Sequence, residues 1–120
     1  MYLKISTEAQ ERLQKYLDEE ATVILDLDDG VGVYSKMGVC SLDTSFRLLI
    51  LDKTQKREDY QLVLDSDVGE LYVKDYSKMY MDEAMTLSLD TRLGVFQLSS
   101  PSGMLDSHVQ LVDLRPNKIV

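Results

Sequence analysis

Hydrophobic and polar positions divide the chain into short elements. Leu3 and Ile5 alternate with polar neighbours and predict a first strand. Ser6 and Thr7 then offer helix caps, with Thr7 and Gln10 at capping-box spacing. Ala9, Leu13, Tyr16 and Leu17 recur at i, i+4, i+7 and i+8, which is the apolar stripe of an amphipathic helix over 7–19. After Glu20 the period changes to two. Val23, Leu25 and Leu27 predict a strand that ends at the turn Asp28-Asp29-Gly30, where glycine tolerates positive φ. A second strand is expected over 31–36, a loop over 37–44, and a third strand over 45–51. That third run is apolar on both faces and therefore central. Residues 53–59 are charged and read as an exposed connection.

The second half repeats one device. LDSDVGELYV (64–73) and LDTRLGVFQL (89–98) both read as an apolar strand, an Asp-led turn, a glycine and an apolar return. Tyr60, Leu62 and Leu64 begin the first of these hairpins, and Met85, Leu87 and Leu89 begin the second. Between them, Tyr76 and Tyr80 at i, i+4 fit one or two helical turns. Pro101 and Gly103 mark a loop, and Val109 to Leu114 a last strand. The pattern is one mainly β domain over 1–115 with an N-terminal helix, followed by a tail over 116–120.

Composition narrows the function. At 120 residues and 44% hydrophobic, the chain can bury a single core. No apolar run approaches the ~20 residues of a membrane span, and the first residues lack a signal-peptide pattern. The net charge of −8 repels phosphate backbones, which argues against nucleic acid. A single cysteine, Cys40, excludes an internal disulfide and fits a reducing cytoplasm.

Candidate chemistry centres on Cys40, held by small residues in the expected loop 37–44. Such a thiol is either a soft-metal ligand or a small buried hydrophobe. Lys36 is close enough in sequence to favour its thiolate. His108, the only histidine, has no H-x-H or HExxH context and reads first as a surface residue. Asp26, Asp28 and Asp29 precede Gly30, but the twelve-residue calcium pattern is absent, so they read as strand-end and turn residues. Asp43 and Asp52 bracket the third strand as a conceivable carboxylate pair. Tyr72, Tyr76, Met79, Tyr80, Met81 and Met85 form a soft aromatic band, read as core packing or, alternatively, a partner surface. No P-loop, GxSxG or GxGxxG motif stands out, and no catalytic constellation emerges.

Three segments in order, ISTEAQERL, GVGVYSKMGVCS and YMDEAMTLSL with GVFQLSSPS, resemble the HesB/IscA-like family of A-type iron–sulfur carriers. The resemblance implies a compact β-barrel or sandwich of short strands with an N-terminal helix. It also implies iron or iron–sulfur cluster binding by three cysteines, one in the central loop and two in a C-terminal C-x-C pair. Cys40 matches the loop ligand. The C-x-C positions fall near Ser107 and Val109, and neither is cysteine. A cluster normally takes ~4 thiolate-type ligands, so one chain cannot hold it in the family's way. Two subunits would present two Cys40 thiolates, and His108, between the vacated positions, is a candidate nitrogen donor. The expected role is a non-enzymatic cytoplasmic accessory of iron–sulfur cluster biosynthesis, its partners being assembly or recipient proteins or a second copy of the chain. The alternative is a metal-free interaction module that keeps the fold with Cys40 buried.

Overall fold

The computed structural model describes residues 1–28 and 45–116, the side chains of Asp28 and Tyr76 excepted. Strand β1 (Tyr2–Ile5) turns Leu3 and Ile5 inward, as the alternation requires. Ser6 caps helix α1 (Thr7–Leu13) by accepting from the Ala9 N–H at 3.2 Å. Of the two caps the sequence offers, Ser6 serves, and the Gln10 side chain donates to the Ile5 carbonyl at 2.8 Å instead of closing a capping box with Thr7. The helix is also shorter than the stripe predicts. It tightens to a 3-10 turn at Gln14–Tyr16, and Tyr16 and Leu17 pack on the core from there.

Strands β2 (Ala21–Asp28) and β3 (Ser45–Asp52) pair antiparallel along their whole length, from Ala21↔Asp52 to Asp28↔Ser45. The hairpin β4 (Leu62–Ser66) with β5 (Gly69–Val73) and the hairpin β6 (Ala84–Asp90) with β7 (Val95–Ser100) follow. The sequence echo is structural: Leu64↔Leu71 and Asp65↔Glu70 in one correspond to Leu89↔Phe96 and Asp90↔Val95 in the other. Gly69 and Gly94 turn these hairpins at φ +107° and +72°, values that side chains with a Cβ rarely adopt. A 3-10 helix spans Asp75–Tyr80 between them. The last strand, β8, runs from Gly103 to Asp113 and so begins well before the expected Val109; the Pro101–Gly103 segment is a tight turn rather than a loop. Its periodicity is hidden because the β7–β8 register shifts twice, at a bulge between Phe96↔Val109 and Leu98↔Asp106 and again between Leu98↔Asp106 and Ser99↔Met104.

The eight strands close a barrel in the order β1-β4-β5-β2-β3-β8-β7-β6, with β1 parallel to both β4 and β6. The expectation of a mainly β, barrel-like fold with an N-terminal helix is met. Leu3, Leu25, Leu48, Leu64, Leu87 and Leu98 fill the interior, and α1 adds Ala9 and Leu13. β3 is buried on both faces. Its outward residues Leu49 and Leu51 join Ile24 and Tyr60 in a second cluster outside the barrel wall. Tyr60 is therefore not a strand residue but a fully buried plug on the connection between β3 and β4. The Tyr/Met band divides: Met81 and Met85 are core, whereas Met79 and Tyr80 are exposed. Among the described residues, no helix is long and apolar enough to cross a membrane.

The β1–β4 seam has only the pairs Tyr2↔Asp65 and Leu3↔Ser66. Asp67 completes it, accepting from the Ile5 N–H at 2.8 Å and from the Tyr2 hydroxyl. Those two bonds, the Tyr2 bond first, hold the Asp67 carboxyl below its usual range. A depressed folded pKa stabilises above the unfolded value of about 4 and is lost as pH falls through the folded value. Asp67→Ala is expected to lower the urea midpoint at pH 7, with the difference from wild type shrinking below about pH 4; a gap constant down to pH 2 would exclude this role. Leu48→Ala is expected to cost about 3 kcal/mol in the same denaturation measurement, as for a cavity in a packed core.

Candidate functional site

The two strands that carry the Cys40 segment end side by side at Asp28↔Ser45. Cys40 itself, Lys36, Asp43, Asp29, Gly30 and the expected strand 31–36 lie outside the described residues. The foot of that segment is tied to β8. The Phe46 N–H donates to Asp106 Oδ2 at 2.8 Å, and the His108 N–H donates to Asp106 Oδ1 at 2.9 Å. One carboxylate thus fastens the start of β3 to the bulge, next to Ser107 and Val109.

At that bulge Ser107 and His108 are exposed, while Val109 points into the barrel core. The segment offers one imidazole, one hydroxyl and no thiolate, a donor set that does not fit a cluster. Among the described residues, no group of three His, Cys, Asp or Glu side chains is placed to hold a metal ion. Asp52 ends β3, and its carboxylate accepts from the Thr54 N–H at 3.1 Å in the turn that follows.

Asp26 differs from its expected place. It is fully buried in the middle of β2, opposite Arg47, on the outward face of the wall. Arg47 Nε reaches its Oδ2 at 2.8 Å and Lys74 Nζ its Oδ1 at 3.3 Å. Lys74 also donates to the Leu27 carbonyl at 3.0 Å, and its ammonium stands 5.7 Å from the centre of the Tyr60 ring. Burial, and then the Asp26 charge, push the Tyr60 phenol well above its ordinary pKa, so it stays protonated. Arg47 and Lys74 together offset the cost of burying the carboxylate. A sequence signal for this cluster existed: Arg47 interrupts the aliphatic run of β3, one of the most apolar stretches in the chain. The reading of Asp26 as a strand-end residue missed it, because the strand continues to Asp28.

Beside the bulge, between α1 and the β7–β8 sheet, lies a cleft of about 350 Å³. Arg12, Tyr16, His108 and Gln110 rim it, and Phe96 and Leu111 contribute to its apolar lining. The Arg12 guanidinium is held at its edge by the Gly94 carbonyl at 3.3 Å.

The family model for iron–sulphur cluster biosynthesis proteins matches residues 1–113. The chain belongs to the iron–sulphur cluster biosynthesis family. Its match spans both the Cys40 segment and the whole of β8. Two crystal structures are similar to it. One is of a candidate Fe-S biosynthesis protein from Lactobacillus salivarius, at 41% identity and a TM-score of 0.87, covering 96% of this chain and 99% of that one. The other is of a candidate Fe-S biosynthesis protein from Lactobacillus acidophilus, at 26% identity and a TM-score of 0.70, covering 94% of this chain and 90% of that one. Among curated proteins, none matches the chain.

The buried cluster at the root of the Cys40 segment is open to a direct test. Asp26→Ala leaves two buried cations without the carboxylate between them and is expected to cost about 3 kcal/mol or more in urea denaturation. A change under about 0.5 kcal/mol, the range of surface substitutions, would contradict that arrangement.

Proposed function

We propose that this protein is a non-enzymatic accessory of iron–sulfur cluster biosynthesis. In it Cys40 is the retained donor, and iron or a cluster is contacted across a subunit interface rather than chelated within one chain. The observation that carries this reading is the Asp106 tie: it fastens the foot of the Cys40 segment to the bulge bearing His108. Two chains would bring two thiolates and two imidazoles, a mixed sulfur and nitrogen set suited to iron or zinc. The partners would be assembly or recipient proteins of the cytoplasm. A second reading keeps the family's fold and gives up the metal. There the chain is a metal-free interaction module, and Cys40 is a buried filler.

Anaerobic reconstitution with ferrous iron and sulfide separates the two. Under the first reading, visible absorption develops, disappears in Cys40→Ser and weakens in His108→Ala. A colourless wild type indistinguishable from Cys40→Ser eliminates it. Under the second, Cys40 resists thiol reagents until the protein unfolds, and rapid labelling of the native protein counts against that reading.

A further inference from the structure

The cleft between α1 and the β7–β8 sheet carries a charge pattern opposite to that of the molecule. The chain has a net charge of −8, yet among the described residues no acidic side chain lines this cleft. Its rim instead gathers Arg12, His108 and the amide of Gln110. Carboxylates nearby in the chain are turned to the backbone. Asp106 accepts from the Phe46 and His108 N–H groups, and Asp90 from those of Arg92 and Leu93. Arg12 is bound to the Gly94 carbonyl through one nitrogen and has no carboxylate partner among the described residues.

We propose that this cleft binds a small organic carboxylate with a short apolar body. A guanidinium fixed at a cleft edge presents two parallel N–H groups, the geometry that carboxylates take best. The Gln110 amide and the His108 imidazole add polar groups around the same cleft. Tyr16, Val95 and Leu111, each half-buried, offer apolar surface for the rest of the ligand. A volume of about 350 Å³ sits at the small end of ligand pockets and suits a molecule of metabolite size. This goes beyond the cluster role and needs neither Cys40 nor metal.

The test is a 15N-resolved NMR titration of the purified protein at pH 7 with hexanoate and N-acetyl-leucine, against hexanamide and N-acetyl-leucinamide. The acids are expected to give saturable shifts at the amides of Gly94, His108 and Gln110, and the neutral amides at least about tenfold weaker ones. Arg12→Gln, exposed and outside the core, should keep the fingerprint spectrum and weaken acid binding about tenfold or more. Equal response to acid and amide on the wild type, shifts that never saturate, or shifts confined to other surfaces would each overturn the proposal. So would undiminished binding by a folded Arg12→Gln.

Discussion

A sheet of eight strands leaves no open edge only if its first and last members find each other, and here that task falls to a four-residue strand. β1 is parallel to β4 on one side and to β6 on the other, so both hairpins of the second half depend on it. Closure removes the unpaired N–H and C=O rows that make open edges prone to aggregate. It also fixes what comes next in the chain. Leaving the seam at Ser6, the backbone turns at once into α1, which lays Ala9 and Leu13 over the barrel interior. Arg12 and Tyr16, on another side of the same short helical segment, are thereby brought to β7 and β8. A cleft assembled from residues almost 100 positions apart follows directly from the closure of the sheet.

β3 imposes the second constraint. Being buried on both faces, it needs a covering layer outside the barrel wall as well as a core inside it. Tyr60 and its connection supply part of that layer over Leu49 and Leu51. Next to this apolar cover, Asp26, Arg47 and Lys74 lie in the same outer layer, out of water. Such a network is a poor source of net stability compared with well-packed apolar residues. What it supplies is geometry: Lys74 binds the Leu27 carbonyl and Arg47 the carboxylate opposite, so the ends of β2, β3 and β5 are set together. The Cys40 segment departs from those ends.

The strands were legible in the sequence because most carry a period-two pattern and their turns use glycine where φ is positive, as at Gly69 and Gly94. The paired hairpins were legible for the same reason, down to the matching register of Asp65↔Glu70 and Asp90↔Val95. The start of β8 was not, because the bulge near Asp106 breaks its alternation. The helix ended earlier than its stripe, since Tyr16 and Leu17 reach the core from a 3-10 turn as well as they would from an α-helix. Of the cleft, His108 was singled out in the sequence for a different role, and its neighbours there were not. Arg12 meets His108 only through the folded barrel, a long-range relation that no local spacing encodes. Asp26 was misread because a charged residue in a strand ordinarily faces water, and a second apolar layer outside the wall is not visible in a period-two pattern.

The β7–β8 seam departs from regular pairing around residues 105–108. In a β-ladder, a bulge re-aims side chains and is commonly found beside functional sites. Here the bulge leaves Ser107 and His108 exposed and turns Val109 into the core. Asp106 is what holds it, by taking N–H groups from both β3 and β8 itself. The irregularity leaves His108 at the surface, on the rim of the Arg12 cleft. A single carboxylate thus sets both the start of β3, from which the Cys40 segment departs, and the backbone of the only histidine, so the two cannot shift independently without breaking one of its bonds.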